Sequence, residues 1–102
     1  MPPALRATWL FRSDTGPIRL QLSDDRYIIS AGGSAQGDVV VRGNVISFYN
    51  SNAPSCPLRF PEGVGRYRLT VTSETLHLTP FGQDPCGGRA PALANVTFER
   101  AE

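Results

Sequence analysis

The sequence predicts an all-β fold: about eight short strands in an antiparallel up-and-down meander that closes into a small barrel. Three observations carry this. Apolar and polar residues alternate with period two along most of the chain, and the 3.6-residue helical period barely appears. The 102 residues include 10 Gly and 9 Pro, which suit tight turns better than long helices. Turn signals recur at roughly 8–12-residue intervals, the spacing of short hairpins. A chain of 102 residues is long enough for one core and too short for two, so 1–102 is read as a single domain. Closing the sheet leaves no strand edge exposed. A two-sheet sandwich is the competing architecture, and its crossovers need longer connections than those before residue 50.

The elements follow in order. Trp9 and Phe11 share one parity, with Thr8 and Arg12 on the other. Asp14-Thr15-Gly16-Pro17 reads as a turn. Ile18, Leu20 and Leu22 alternate with Arg19 and Gln21, a half-buried strand, and 23–26 turns the chain. Residues 27–30 form a strand, closed by Ala31-Gly32-Gly33-Ser34. Residues 38–42 form the next, with Val39 and Val41 on one face, and Gly43-Asn44 turns into 45–50, where Ile46 and Phe48 share a face. The stretch 51–63 carries Pro54, Pro57 and Pro61 and reads as irregular. The longest strand is 64–72, with Tyr67, Leu69 and Val71 opposing Arg66, Arg68 and Thr70. After Ser73-Glu74, Leu76 and Leu78 alternate with Thr75, His77 and Thr79. A long connection, 81–94, includes one short helical turn near 89–93, and Val96, Phe98 and Arg100 share a parity in the last strand.

Composition excludes several function classes. The formal net charge of +1 gives no basic footprint for phosphate neutralisation, so no nucleic-acid partner is expected. All ten basic residues are Arg, so no lysine is present for a Schiff base or a Walker-type phosphate loop. The loop 32–37 is glycine-rich, but it lies between two strands with no helix after it and reads as a hairpin loop. No apolar run is long enough for a membrane helix, and no membrane partner is expected. The start of the chain shows no signal peptide, so the cytoplasm is expected as the sequence stands, or secretion if a leader has been removed.

Candidate chemical groups are few. His77 is the only histidine, and its parity places it with Thr75 and Thr79 on the solvent face. Nothing near it in sequence supplies the Ser and Asp of a triad. The acids fall mostly in turns, where Asp bonds its own backbone, and no metal-ligand spacing is present. No metal or cofactor is expected. Arg66-Tyr67-Arg68 reads as an outward charged face around an inward tyrosine. Cys56 and Cys86 sit in the two irregular connections that flank the hairpin between them, where they can meet at one end of a barrel. A bond between them closes a loop of roughly 31 residues, worth about 3–4 kcal/mol on the chain-entropy account; in a reducing compartment the same thiols stay free.

Ala7-Thr8-Trp9 in the first strand resembles the Gly-x-Trp opening of the calycins, the superfamily of lipocalins, fatty-acid-binding proteins and avidins. The order Gly37-Asp38-Val39-Val40-Val41, Asn44 to Phe48, Cys56-Pro57, Gly65-Arg66-Tyr67, Leu76-His77-Leu78, Asp84-Pro85-Cys86-Gly87-Gly88-Arg89 is similar to small lipocalin-like domains of GC-rich bacteria, many of them secreted. The resemblance covers nearly the whole chain. It departs at Ala7, where the signature has Gly, and in a length well below that of a true lipocalin. It implies that Arg100, in the last strand, packs on Trp9.

An eight-stranded barrel has an interior wide enough for its own side chains or for one small ligand. The expected function is therefore binding of a small hydrophobic molecule inside. Trp9, Leu20, Tyr27, Ile29, Phe48, Tyr67, Leu69 and Leu78 are the expected lining, with tyrosine hydroxyls to orient the ligand. Phe11, Leu22, Val39, Val41, Leu76 and Phe98 share the inward parity. The alternative, drawn from small bacterial barrels of similar appearance, is a cofactor-free cyclase of a natural-product pathway. Such an enzyme works by holding a chain in a reactive shape more than by acid–base groups. The oligomeric state is open.

Overall fold

In the computed structural model, residues 2–14, 16–31, 33–49, 52, 63–82, 84–85 and 90–101 are described. They form eight antiparallel strands in one closed barrel: β1 (Thr8–Ser13), β2 (Gly16–Ser23), β3 (Arg26–Ser30), β4 (Ser34–Arg42), β5 (Val45–Tyr49), β6 (Gly65–Val71), β7 (Thr75–Pro80) and β8 (Val96–Arg100). Each strand pairs with its neighbour in sequence, and β8 returns to β1 through Trp9↔Arg100 and Leu10↔Glu99. One helical turn, α1 (Ala90–Leu93), precedes β8, close to where the sequence places it.

Period-two alternation sets the faces. In β2 the buried residues are Ile18, Leu20 and Leu22, and the residues between them are exposed. The registers align these inward positions around the wall: Trp9↔Leu20↔Ile29 in one row and Val41↔Ile46↔Tyr67 in another. The interior is a single cluster that includes Trp9, Tyr27, Phe48, Tyr67 and Phe98. Each large side chain buried this way contributes about 1.5–3 kcal/mol.

Several boundaries differ from the sequence reading. Ser23 and Arg26 pair with each other at the ends of β2 and β3, so the turn is 24–25 rather than 23–26. The longest strand is β4, with 9 residues, and not the expected 64–72, where β6 has 7. Gly16-Pro17 belongs to β2 rather than to the turn, paired with Ser13 and Arg12. Pro17 is exposed near the strand's start, a position that tolerates the missing N–H. β4 begins at Ser34, four residues before the expected strand, because Ser34, Ala35, Gln36 and Gly37 pair with β3. Backbone pairing holds this polar stretch, so it leaves no apolar signal.

The barrel ends are closed by segments outside the strands. At the end shared by the 24–25, 43–44 and 72–74 turns, the N-terminal segment folds over and buries Leu5, and Trp9 Nε1 donates to the Leu5 carbonyl at 3.1 Å. At the opposite end, Ala92 and Leu93 of α1 are buried and join the core. Asn95 turns the chain from α1 into β8 with a positive φ of 59°.

Candidate functional site

The expected lining residues all face inward. Trp9, Leu20, Phe48, Tyr67 and Leu78 have 0% exposure, so no water-sized space borders them. Tyr27 and Ile29 are also buried, and Leu69 is half-buried against the core. The structure joins Tyr27, Phe48 and Tyr67 in one edge-to-face aromatic chain, with ring centroids 4.9 and 5.8 Å apart. This is the favoured geometry for aromatic quadrupoles. Phe11 and Phe98 form a second edge-to-face pair at 6.3 Å.

Exposure along the inward face is uneven. Val41 near the end of β4, and Leu69 and Val71 in β6, face inward yet are half-buried. They gather at the end of the barrel carrying the 43–44 and 72–74 turns, and the Leu69 amide donates to the Asn44 carbonyl at 2.8 Å. Leu5 and Leu22 are buried at that end on the other side of the barrel. An apolar rim on β4 and β6 therefore leads from solvent toward Ile46, Tyr67 and Leu78, which are fully buried.

Arg100 closes the same end beneath β1 and β8. Its guanidinium lies 4.8 Å from the Trp9 ring, where the indole face attracts a cation. Its Nε donates to the Ser73 carbonyl at 2.9 Å and Nη2 to the Ala4 carbonyl at 2.8 Å. One side chain thus ties together the first strand, the N-terminal segment and the 72–74 turn.

At the far end, Tyr67 Oη donates to the Asp84 carboxylate at 2.5 Å. Asp84 lies in the connection after β7 and sits directly over Gly65, where a Cβ would fall 2.5 Å from its Oδ2. Gly65 is thus the residue that lets the carboxylate reach the tyrosine. No short spacing marks this pair, and the sequence reading missed it. A glycine opening a strand two residues before an inward tyrosine is the only trace it leaves.

Outside the barrel, His77 sits half-buried on the outer face, its Nδ1 2.6 Å from Thr97 Oγ1. Arg66 and Arg68 point outward and Tyr67 inward, as the alternation requires. Cys56 and Cys86 lie outside the described residues. Among the described residues no three His, Cys, Asp or Glu side chains are grouped to hold a metal ion. No family model, curated protein or solved structure matches the chain.

Proposed function

We propose that this barrel binds a small hydrophobic molecule, admitted at the rim formed by Val41, Leu69 and Val71. The observation that carries the reading is the half-burial of these three inward-facing apolar side chains, gathered at one end of the barrel; Phe11, also half-buried on the inward face, stands singly on β1 against Phe98. Small-molecule sites are lined mostly by apolar side chains, and apolar surface left uncovered at the mouth of a barrel is where such a ligand gains most by covering it. Leu69 is the contact at the mouth, with Tyr67 and Leu78 behind it. Trp9, Leu20, Tyr27, Ile29 and Phe48 form the packed wall that closes the site. The meander topology and the stacking of Arg100 on Trp9 support kinship with the calycins, whose barrels hold apolar ligands.

The test is Leu69→Trp, read with the neutral dye phenylnaphthylamine, which fluoresces in apolar surroundings. The parent is expected to bind the dye and to melt at a higher temperature in its presence, because a ligand of the native state stabilises it. The variant is expected to stay folded and to lose both effects. Overpacking costs about 1–3 kcal/mol, toward the low end here because the rim is partly open. A parent that binds no dye, or a variant that binds it equally well, contradicts the proposal.

A further inference from the structure

The outer face of the β4–β6 wall carries a different set of groups. Alternation that sends Val39, Ile46 and Tyr67 inward sends Val40, Arg42, Val45, Ser47, Arg66 and Arg68 outward. Cross-strand pairing sets them in two adjacent rows, Val40↔Ser47↔Arg66 and Arg42↔Val45↔Arg68. Phe81, just after β7, extends the first row, its amide donating to the Arg66 carbonyl at 2.9 Å. The Arg68 guanidinium lies 4.8 Å from the Phe81 ring centroid. Between these groups is a depression of about 580 Å³, lined by the apolar Val40, Val45, Val64 and Phe81, by Ser47 and Tyr49, and by Arg42 and Arg66.

Two features point to a ligand. Phe81 is 46% and Val40 37% exposed, so the floor is open apolar surface. The arginines around it have no ion-pair partner among the described residues. Ion pairs among the described residues join Arg6 to Asp24 and Arg26 to Asp38, and among the described residues no carboxylate lines the depression. The chain carries a net charge of only +1, so this local excess is not the consequence of a basic surface overall. Gathering like charges beside apolar surface is unfavourable until an anion joins them, and an arginine fork suits a carboxylate or sulfonate. The patch spans three strands, about 10 Å, or about 14 Å with Phe81, and two rows, about 7 Å along the strands. That is too small to track the several nucleotides a single-stranded nucleic-acid site covers, but the volume suits a small molecule.

We propose that this outer-face depression is a second binding site, for a small organic anion with a flat apolar body: its charged group rests between Arg66 and Arg42, and its body lies on Val40, Val45 and Phe81. The site is independent of the barrel interior. The test uses two dyes with the same ring system, anilinonaphthalene sulfonate and uncharged phenylnaphthylamine. The parent is expected to bind the sulfonate with an affinity that falls as salt rises. Arg66→Ser combined with Arg42→Ser is expected to weaken the sulfonate at least tenfold and leave the neutral dye unchanged. Phe81→Ser, with both arginines retained, is expected to weaken the sulfonate as well and guards against a double variant that fails to fold. Three results overturn the inference: equal sulfonate binding by parent and variants, loss of sulfonate binding in Leu69→Trp, or displacement of the sulfonate by a single-stranded oligonucleotide at lower concentration than by an aromatic carboxylate. The second would place both dyes in the interior, so failure here is distinguishable from failure of the interior site.

Discussion

Gly65→Ala tests how the connection after β7 is fastened over the end of the barrel. The new methyl would lie 2.5 Å from Asp84 Oδ2 and 2.6 Å from its Cγ, closer than any real contact. The obstacle is the end of a side chain rather than backbone, so the cheapest relief is for the carboxylate to swing away. That motion breaks the 2.5 Å bond from Tyr67 Oη. A hydrogen bond to a carboxylate is worth about 1.5–3 kcal/mol, and Gly→Ala in a strand returns roughly 0.5–1 kcal/mol of backbone entropy. The net cost is therefore about 1–2 kcal/mol, or several degrees in Tm at ~4–8 °C per kcal/mol for a domain of this size. Tyr67→Phe removes the same bond from the other side. Denaturant unfolding of Gly65→Ala, Tyr67→Phe and the double variant forms the assay. If the methyl acts by displacing the carboxylate, the double variant costs no more than the costlier single one. Additive costs, within the ~0.5 kcal/mol typical of independent sites, refute the reasoning.

Two further predictions concern the chain's ends. Arg100→Ala is expected to lower Tm by several degrees, and more than Arg66→Ala, because it removes the Trp9 contact and two carbonyl hydrogen bonds while Arg66 is an outward residue without an ion pair among the described residues; equal effects in thermal melts would reduce Arg100 to a frayed terminus. Asn95 holds a φ of 59°, so Asn95→Gly is expected to be nearly neutral in denaturant unfolding and Asn95→Val to cost about 1–2 kcal/mol; equal costs would mean that the backbone there relaxes.

Much of the barrel was legible because one face of nearly every strand is sealed. The alternation of Ile18, Leu20 and Leu22 with Arg19 and Gln21, or of Leu76 and Leu78 with His77, follows directly from a wall with one dry and one wet side. The first half of β4 was not legible, since Ser34 to Gly37 are held by backbone pairing to β3 and need no apolar side chains. Nor were the plugs, Leu5 and Leu93, which come from irregular segments where burial has no period. All eight expected lining residues face inward, because parity alone decides that. Parity does not decide how tightly they pack. The zero exposure of Trp9, Leu20 and Phe48, against the half-burial of Leu69, depends on what folds over each end. The Tyr67–Asp84 bond joins a strand to a connection 17 residues away and has no local spacing by which to be found. The outer-face depression was half visible: the alternation showed Arg66 and Arg68 outward, but only the β4–β5–β6 register brings Val40, Arg42 and Phe81 to them.

The most direct test of the central claim is a methyl-resolved NMR titration of the parent protein with neutral phenylnaphthylamine. The account predicts progressive, saturable shifts in the methyl groups of Val41, Leu69 and Val71, smaller shifts at Ile46 and Leu78 behind them, and none at Val40 or Val45 on the opposite face of the same strands. Shifts confined to Val40 and Val45, or no shifts at all, would contradict it.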